Sequence, residues 1–178
     1  MGMQHVASER IANAVRDVPD FPKPGIIFKD ITPLLSDGAL FRESIGLFVA
    51  ACEPLRPDKI VGIDARGFLF GAAVAYHLGV GFVPIRKKGK LPFQTQGVAY
   101  SLEYGEATVE MHVDAITPGE RVVLVDDLLA TGGTSAAAVR LIAQAGGNLL
   151  EAQFLIELGF LSGRKALEPV PVRAFMTY

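Results

Sequence analysis

Short apolar runs recur along the chain and alternate with longer segments whose apolar residues fall on one side of a helix. Apolar runs bounded by Gly, Pro or polar residues are typical of buried strands. Such runs predict strands at KIVGI (59–63), GFVPI (81–85), ATVEMHV (107–113), RVVLV (121–125) and LLEAQFLIEL (149–158). Helical spacing predicts helices over Ser8–Asp17, Ala39–Cys52, 67–78 and Ser135–Ala145. This alternation predicts an α/β fold, a mostly parallel twisted sheet flanked by helices.

Two polar segments interrupt the alternation. Four prolines keep PDFPKPGIIFKDITP (19–33) from forming a helix, which predicts an ordered loop or a small N-terminal hood over about residues 1–36. Residues from about 86 to 105 are rich in Lys, Gly and Gln and begin with the basic run RKKGK. They predict either a solvated loop or a flexible lid that closes on a ligand. We expect a single domain, residues 1–178, that contains both segments.

The composition favours a small ligand over a macromolecule. The chain has 178 residues, of which 50% are hydrophobic and 20% charged, and its net charge is −2. This charge provides no overall basic surface for nucleic acid or anionic lipid. Cys52 is the only cysteine, so the chain has no internal disulfide, which suits the reducing cytoplasm.

No membrane segment is expected. The stretch Gly67–Val83 is nearly free of charge and has the length of a membrane span. Gly71, Gly79, Gly81 and Pro84 divide it into a short helix and a short strand, each of a size usual in a soluble core. The N-terminus has no apolar signal-peptide core, so we expect a cytoplasmic protein.

The stretch VVLVDDLLATGGTS (Val122–Ser135) carries the first candidate chemistry. Its turn, Thr131–Thr134, leads into a predicted helix, where unpaired backbone amides and the positive end of the helix dipole favour an anion. The glycines let the backbone approach a phosphate, and the threonines add hydroxyl donors. The chain lacks both G-x-x-x-x-G-K and G-x-G-x-x-G, so the turn predicts a phosphate site of another kind.

Asp126 and Asp127 stand just before that turn. Adjacent carboxylates accept hydrogen bonds from the paired hydroxyls of a ribose, so a sugar phosphate accounts for the acids and the turn together. Successive strand residues point to opposite faces. We therefore expect the strand to break at Asp126 if both carboxylates serve one ligand. An Asp-rich turn that merely caps the helix is the alternative.

This stretch resembles the 5-phosphoribosyl 1-pyrophosphate (PRPP) signature of type I phosphoribosyltransferases. Four further segments are similar to those of the family members that use adenine, in the expected order: DFPKPGIIFKDITPLL, DARGFLFG, IRKKGKLP and SLEYG. The resemblance spans almost the whole chain. Ala65 stands where Ser is common and Lys29 where Arg is frequent, and neither departure removes a charge.

The resemblance implies a reaction of purine salvage, in which adenine and PRPP give AMP and pyrophosphate. It also implies Mg²⁺, held mainly through PRPP and water with no direct protein ligand, and a homodimer. Glu103, Asp126 and Asp127 are the implied catalytic residues. The implied PRPP-binding residues are Arg66, Arg86, Lys87, Lys90, Asp126, Asp127, Ala130, Thr131, Gly132, Gly133 and Thr134. The implied adenine-binding residues are Ile27, Phe28, Lys29 and Leu158.

Several alternatives stay open on the residues alone. Glu103 is the implied proton-transfer group, but adjacent Tyr104 could relay the proton, and Glu103 could be a plain surface residue. Phe28 could pack in the core instead of facing a purine. A non-catalytic sensor of PRPP or nucleotide is the rival class of protein. An enzyme for a 6-oxopurine is a third reading, which the GIIFKD segment opposes.

Overall fold

The computed structural model describes residues 9–101 and 106–178, with Ser101 described for its backbone only. The chain divides into two units, Met1–Leu47 and Phe48–Tyr178. Each unit has its own elements, and the second contains the large sheet.

The first unit carries an antiparallel two-stranded sheet. Its elements are α1 (9–14), β1 (Arg16–Pro19), β2 (Ile27–Asp30), α2 (Thr32–Ser36) and α3 (Gly38–Cys52), the last of which ends in the second unit. The helix expected as far as Asp17 ends earlier because Arg16–Pro19 pairs with β2. Pro33 does not prevent α2, since it lies in the first turn, where a missing N–H costs no helical hydrogen bond.

The second unit is built on a seven-stranded sheet flanked by helices. Its strands are β3 (Lys59–Ile63), β4 (Gly81–Lys87), β5 (Thr95–Ser101), β6 (Glu106–His112), β7 (Arg121–Leu129), β8 (Asn148–Glu157) and β9 (Val172–Thr177), and its helices are α4 (Arg66–Leu78) and α5 (Gly133–Gln144). The strand order is β5-β6-β4-β3-β7-β8-β9. Strands β4, β3, β7, β8 and β9 are parallel, while β6 is antiparallel to β4 and β5. The predicted mostly parallel sheet is confirmed.

Both faces of the central strands are covered, which explains their continuous apolar sequences. Val61 and Leu124 lie in the core cluster with Leu141 of α5. Helix α4 packs against β3, β4 and β7. Because side chains alternate along a strand, the two helices take the two faces of the sheet. Their N-termini both follow the carboxyl ends of central strands.

The stretch Gly67–Val83 forms most of α4 and the start of β4, as its glycines predict. Across the described ranges, no helix is both long and apolar enough to cross a membrane. The polar stretch 86–105 contains a strand, β5, that the sequence did not predict. Strand β9 and the 3-10 helices Glu53–Leu55, Gly159–Leu161 and Gly163–Leu167 were not predicted either.

Candidate active site

A cavity of about 230 Å³ lies at the carboxyl ends of β3 and β7. In parallel sheets this edge is the usual place for a ligand. Residues from the β3–α4 and β7–α5 connections line the cavity: Ile63, Asp64, Ala65, Arg66, Asp126, Asp127, Leu128, Ala130, Thr131, Gly132, Gly133, Thr134 and Ser135. The structure therefore brings together the predicted phosphate turn, both predicted carboxylates and Arg66.

The phosphate turn opens α5 as the sequence predicts. Gly132 is the N-cap residue, with a left-handed φ of 84°, and it gives the helix no side-chain cap. The first amides of α5 therefore keep no side-chain acceptor from that position and lie against the cavity. A phosphate at this place would receive those amide donors and the positive end of a twelve-residue helix.

The two carboxylates reach the cavity although the strand does not break. The prediction of a break at Asp126 is wrong, because β7 continues to Leu129 and pairs with β8 on both sides of Asp127. The side chains leave opposite faces of the strand, and the cavity lies beyond the sheet edge, between the N-termini of α4 and α5. Both faces of the strand thus open to the same space.

Gly67 allows α4 to approach Asp126 closely. A Cβ atom at Gly67 would lie 2.6 Å from Oδ1 of Asp126 and 3.1 Å from the carbonyl oxygen of Val125. Any larger residue would displace α4 or the carboxylate. The same Oδ1 accepts a hydrogen bond from the backbone N–H of Asp127, at 2.9 Å. The position of Asp126 is therefore fixed by the backbone on two sides.

Asp127 is 4% exposed and forms an ion pair with Arg66. The distance from Arg66 Nε to Asp127 Oδ2 is 2.9 Å. Oδ2 is buried and accepts no hydrogen bond from the residues that the structure describes. Such an oxygen costs free energy until a donor reaches it. A ligand hydroxyl would supply that donor.

The environment raises the pKa of both carboxyl groups. Burial, followed by the neighbouring charge of Asp127, raises the pKa of Asp126 well above its usual range. Burial also raises the pKa of Asp127, although Arg66 acts in the opposite direction. Carboxyl groups held in this way are typical of functional sites, since the fold keeps them together at a cost.

The basic run lies beside the cavity, not in its lining. Arg86 Nε donates to Asp64 Oδ2 at 3.0 Å, and Arg86 Nη1 donates to the carbonyl oxygen of Lys90 at 3.0 Å. Asp64 does line the cavity, so Arg86 connects it to the turn after β4. Asp64 is thus paired with Arg86, while Lys87 ends β4 as an exposed residue.

The predicted base-binding residues lie in different units. Ile27, Phe28 and Lys29 belong to β2 in the first unit, and Leu158 follows β8 in the second. The ring of Phe28 meets that of Phe21 edge to face, with centroids 5.2 Å apart. These two rings, with Val18 and Asp30, line a cavity of about 200 Å³. Phe21 is a residue that sequence reasoning missed.

The proton-transfer residue and the metal site are two predictions that the described residues do not test. Glu103, the predicted proton-transfer residue, and its neighbour Tyr104 lie outside the described residues. Within the described ranges, no three His, Cys, Asp or Glu side chains converge as metal ligands usually do.

Comparison with known proteins gives consistent matches. Residues 40–166 match the family model of the phosphoribosyl transferase domain. An adenine phosphoribosyltransferase of Acidothermus cellulolyticus is 55% identical over 168 residues, which are 94% of this chain and 95% of the relative. One of Neorhizobium galegae is 56% identical over 162 residues, covering 91% of this chain and 90% of the relative.

Solved structures agree with these relatives. The adenine phosphoribosyltransferase of Thermoanaerobacter pseudethanolicus has a TM-score of 0.93 and 50% identity, and the alignment covers 96% of this chain and 99% of that one. The enzyme of Saccharomyces cerevisiae, in complex with an imino-altritol bisphosphate and adenine, has a TM-score of 0.93 and 42% identity over 96% and 99% of the two chains.

Proposed function

The chain belongs to the phosphoribosyltransferase family, and from that premise we propose that it transfers the 5-phosphoribosyl group of PRPP to adenine, giving AMP and pyrophosphate. It is an enzyme of purine salvage. The bond between the anomeric carbon and the pyrophosphate oxygen breaks, and a bond from that carbon to N9 of adenine forms. The observation that carries the proposal is the cavity in which Asp126 and Asp127 adjoin the uncapped N-terminus of α5.

We propose that the 5-phosphate binds at Ala130–Thr134. The backbone amides at the start of α5 donate to the phosphate oxygens, and the hydroxyls of Thr131 and Thr134 add donors. All residues of this segment line the cavity, which supports the assignment. The paired ribose hydroxyls then donate to Asp126 and Asp127, and one of them satisfies the buried Oδ2 of Asp127.

Asp126 and Asp127 also act on the transition state. Loss of pyrophosphate builds positive charge at the anomeric carbon and ring oxygen. Two carboxylates fixed beside the ribose stabilise that charge without reorganising during the reaction. The positions of both groups are set before substrate binds, because Gly67 and the backbone constrain Asp126 and Arg66 pairs with Asp127.

The pyrophosphate binds at the other side of the cavity. Arg66 and the N-terminus of α4 lie there, and α4 has no side-chain cap. Arg86, Lys87 and Lys90 add positive charge from the predicted lid, with Arg86 held by Asp64. Guanidinium groups form paired hydrogen bonds with phosphate oxygens, which suits the leaving group. Closure of residues 86–105 would exclude water from the reacting carbon.

Asp126 and Asp127 fit Mg²⁺ that arrives with PRPP. They are hard oxygen donors, and Mg²⁺ in phosphate sites commonly takes one or two carboxylates and keeps several waters. We propose that PRPP and water hold the ion, with these two carboxylates in its outer shell. The ion would neutralise charge on the pyrophosphate as it leaves.

Adenine is read by the hairpin of the first unit. Phe28 offers an aromatic face, which the edge-to-face contact with Phe21 orients. The backbone of Ile27 and Lys29 reads the edge of the base, where adenine has an amino donor beside a ring acceptor and hypoxanthine has the reverse. Leu158, which the resemblance also assigns to the base, belongs to the second unit. Glu103 transfers the proton that N9 loses, through N7 or the leaving group.

The protein acts as a cytoplasmic homodimer in this proposal. Leu69 and Tyr76 on α4 are 44% and 89% exposed, and exposed apolar side chains on one helix support an interface near the start of α4, at residues 66–68. The single cysteine suits a reducing compartment.

One assay tests the activity. Purified protein with PRPP and Mg²⁺ is given adenine, hypoxanthine, guanine, xanthine and uracil separately, and release of pyrophosphate is followed. We expect turnover with adenine and almost none with hypoxanthine. Equal turnover of 6-oxopurines would overturn the base assignment, and PRPP binding with no turnover of any base would favour a sensor.

A further inference from the structure

The 3-10 helix Gly163–Leu167 interlocks with the phosphate turn. A Cβ atom at Gly132 would lie 2.5 Å from the carbonyl oxygen of Gly163 and 2.9 Å from Cβ of Ala166. In return, a Cβ atom at Gly163 would overlap the carbonyl oxygen of Ala130. Two glycines facing each other leave no space between the segments, so a shift of the 3-10 helix must move the turn.

An ion pair holds this 3-10 helix. Arg164 Nε lies 2.8 Å from both carboxylate oxygens of Glu157, and Nη2 donates to Oε2 at 2.6 Å. Nη1 donates to the carbonyl oxygen of Val172, at the start of β9, at 2.6 Å. One planar guanidinium therefore joins β8, β9 and the 3-10 helix, a geometry that lysine cannot reproduce.

Glu157 connects this pair to the phosphate turn. It is the last residue of β8 and is 6% exposed. In the sheet it lies opposite Leu129, the last residue of β7 before the turn begins. The turn thus lies between the end of β7 and the 3-10 helix. Glu157 lies opposite the end of β7 and forms an ion pair with Arg164 of the 3-10 helix.

We propose that Arg164 and Glu157 are positioning residues that set the phosphate turn Ala130–Thr134 for the 5-phosphate of the substrate. Neither residue is among those that line the cavity, so we expect each to act through the turn and not by touching the phosphate. The inference rests on the proposed function, since it assigns a sugar phosphate to that turn. It predicts that loss of the ion pair weakens phosphate binding more than adenine binding, because Ile27, Phe28 and Lys29, three of the residues assigned to the base, belong to the first unit.

The chain offers a matched control. Arg121 Nε and Nη2 donate to Asp58 at 3.1 and 2.9 Å, also as a forked pair. Arg121 is the first residue of β7, and the cavity lies at the other end of that strand. Arg121→Gln therefore removes a similar ion pair without touching the phosphate turn.

The experiment compares Arg164→Gln, Arg164→Lys and Arg121→Gln. Calorimetry gives the dissociation constant of ribose 5-phosphate, and steady-state kinetics give KM for PRPP and for adenine. For Arg164→Gln we expect both the dissociation constant and the KM for PRPP to rise about tenfold, as a misplaced binding group produces. We expect KM for adenine to change by less than about twofold, and Arg121→Gln to leave phosphate binding unchanged.

Unchanged ribose 5-phosphate affinity in folded Arg164→Gln would overturn the inference. Equal weakening by Arg121→Gln would do the same, because the effect would then be general loss of stability. If Arg164→Gln does not fold, Arg164→Lys decides alone, with an intermediate loss expected. Wild-type protein that binds ribose 5-phosphate but converts no adenine would refute the activity and not the positioning role.

Discussion

Arg66 Nε lies 2.9 Å from Oδ2 of Asp127, so a cation assigned to pyrophosphate and a carboxylate assigned to ribose are paired before either ligand group is present. In the proposed function, PRPP gives the carboxylate hydroxyl donors and gives the guanidinium phosphate acceptors. The ion pair therefore fixes the positions of both side chains before the ribose and pyrophosphate groups arrive. Its loss should affect chemistry more than folding, since Arg66 is partly exposed.

Arg66→Gln is expected to lower kcat/KM for PRPP by about 10²–10³-fold, the range for removing one preorganised charged donor. The variant removes one of the cations assigned to pyrophosphate, and it leaves the Asp127 charge without its ion-pair partner. Arg66→Lys should recover only part of the loss, because lysine has no fork. Initial-rate measurements at varied PRPP check this, and kcat/KM within threefold of wild type, at roughly 1 kcal/mol or less, would refute the role of Arg66.

Asp126→Asn should stabilise the protein while it removes activity. A carboxyl group whose pKa is raised by folding binds more protons in the folded state, so the free energy of unfolding falls as pH rises from about 4 through the folded pKa. Asparagine removes that dependence. We expect a gain of about 1 kcal/mol at pH 7.5 and none at pH 4, measured by urea unfolding.

Asp58→Asn is a control for which we expect the opposite change in the free energy of unfolding. Hydrogen bonds from Arg121 lower the pKa of Asp58 to about 2. Such a group contributes stability above its unfolded pKa, and the contribution is lost as pH falls from about 4 to about 2. Asp58→Asn should thus lower stability at neutral pH. A stability loss for both variants would contradict the assignment of a destabilising charge to Asp126.

Gly67→Ala is expected to lower kcat/KM at least about tenfold, because its methyl group would displace Asp126 or the start of α4. Gly46→Ala is the matched change, since Gly46 lies within α3 and a methyl group added there would meet no neighbouring atom within 4 Å. It should leave activity unchanged and raise stability by about 0.5–1 kcal/mol. Kinetics and thermal unfolding of both variants check the difference.

Phe28→Ala should raise KM for adenine through the loss of stacking, worth about 1–3 kcal/mol per base. Phe28→Tyr keeps the ring and should remain close to wild type. KM for PRPP should change little in either variant. If Phe28→Ala raises KM for PRPP as much as KM for adenine, the base contact is misassigned.

Glu103→Gln tests the proton-transfer residue, which lies outside the described residues. A general acid or base contributes about 10²–10⁴-fold, so kcat should fall by that factor and one limb of its pH profile should disappear. Glu106→Gln, an exposed change at the start of β6, is the control. If the pH profile of Glu103→Gln is unchanged, another group, such as Tyr104, transfers the proton.

The sheet could be predicted where strands are buried on both faces. KIVGI and RVVLV are continuous apolar runs, and β3 and β7 are the central strands they predict. Strands β5 and β9 lie at the two edges, where one neighbour is missing and polar residues are tolerated. TQGVAYS therefore has no pattern that distinguishes it from a loop, and only pairing with β6 makes it a strand.

The site could be predicted where its chemistry is local in the sequence. The phosphate turn and the two aspartates are contiguous, and they line one cavity. The pairs Arg66–Asp127, Asp64–Arg86 and Glu157–Arg164 are set by the fold, so no spacing in the chain predicts them. The expected strand break was wrong because it treated the ligand as lying over one face of the sheet, whereas the cavity lies beyond its edge.

Strands β5 and β6 are attached to the rest of the sheet through residues that we assign to pyrophosphate. Within the described residues, β6 joins β4 at Arg86 and Lys87, opposite Glu110 and Val109. Both of these β4 residues are cations assigned to pyrophosphate, and Glu110 also accepts a hydrogen bond from Gly89 N–H at 2.9 Å. A tilt of β5 and β6 would therefore displace the positive charges of Arg86 and Lys87. We therefore expect release of pyrophosphate to be coupled to movement of β5 and β6, because Arg86 and Lys87 belong both to the proposed pyrophosphate site and to the pairing with β6.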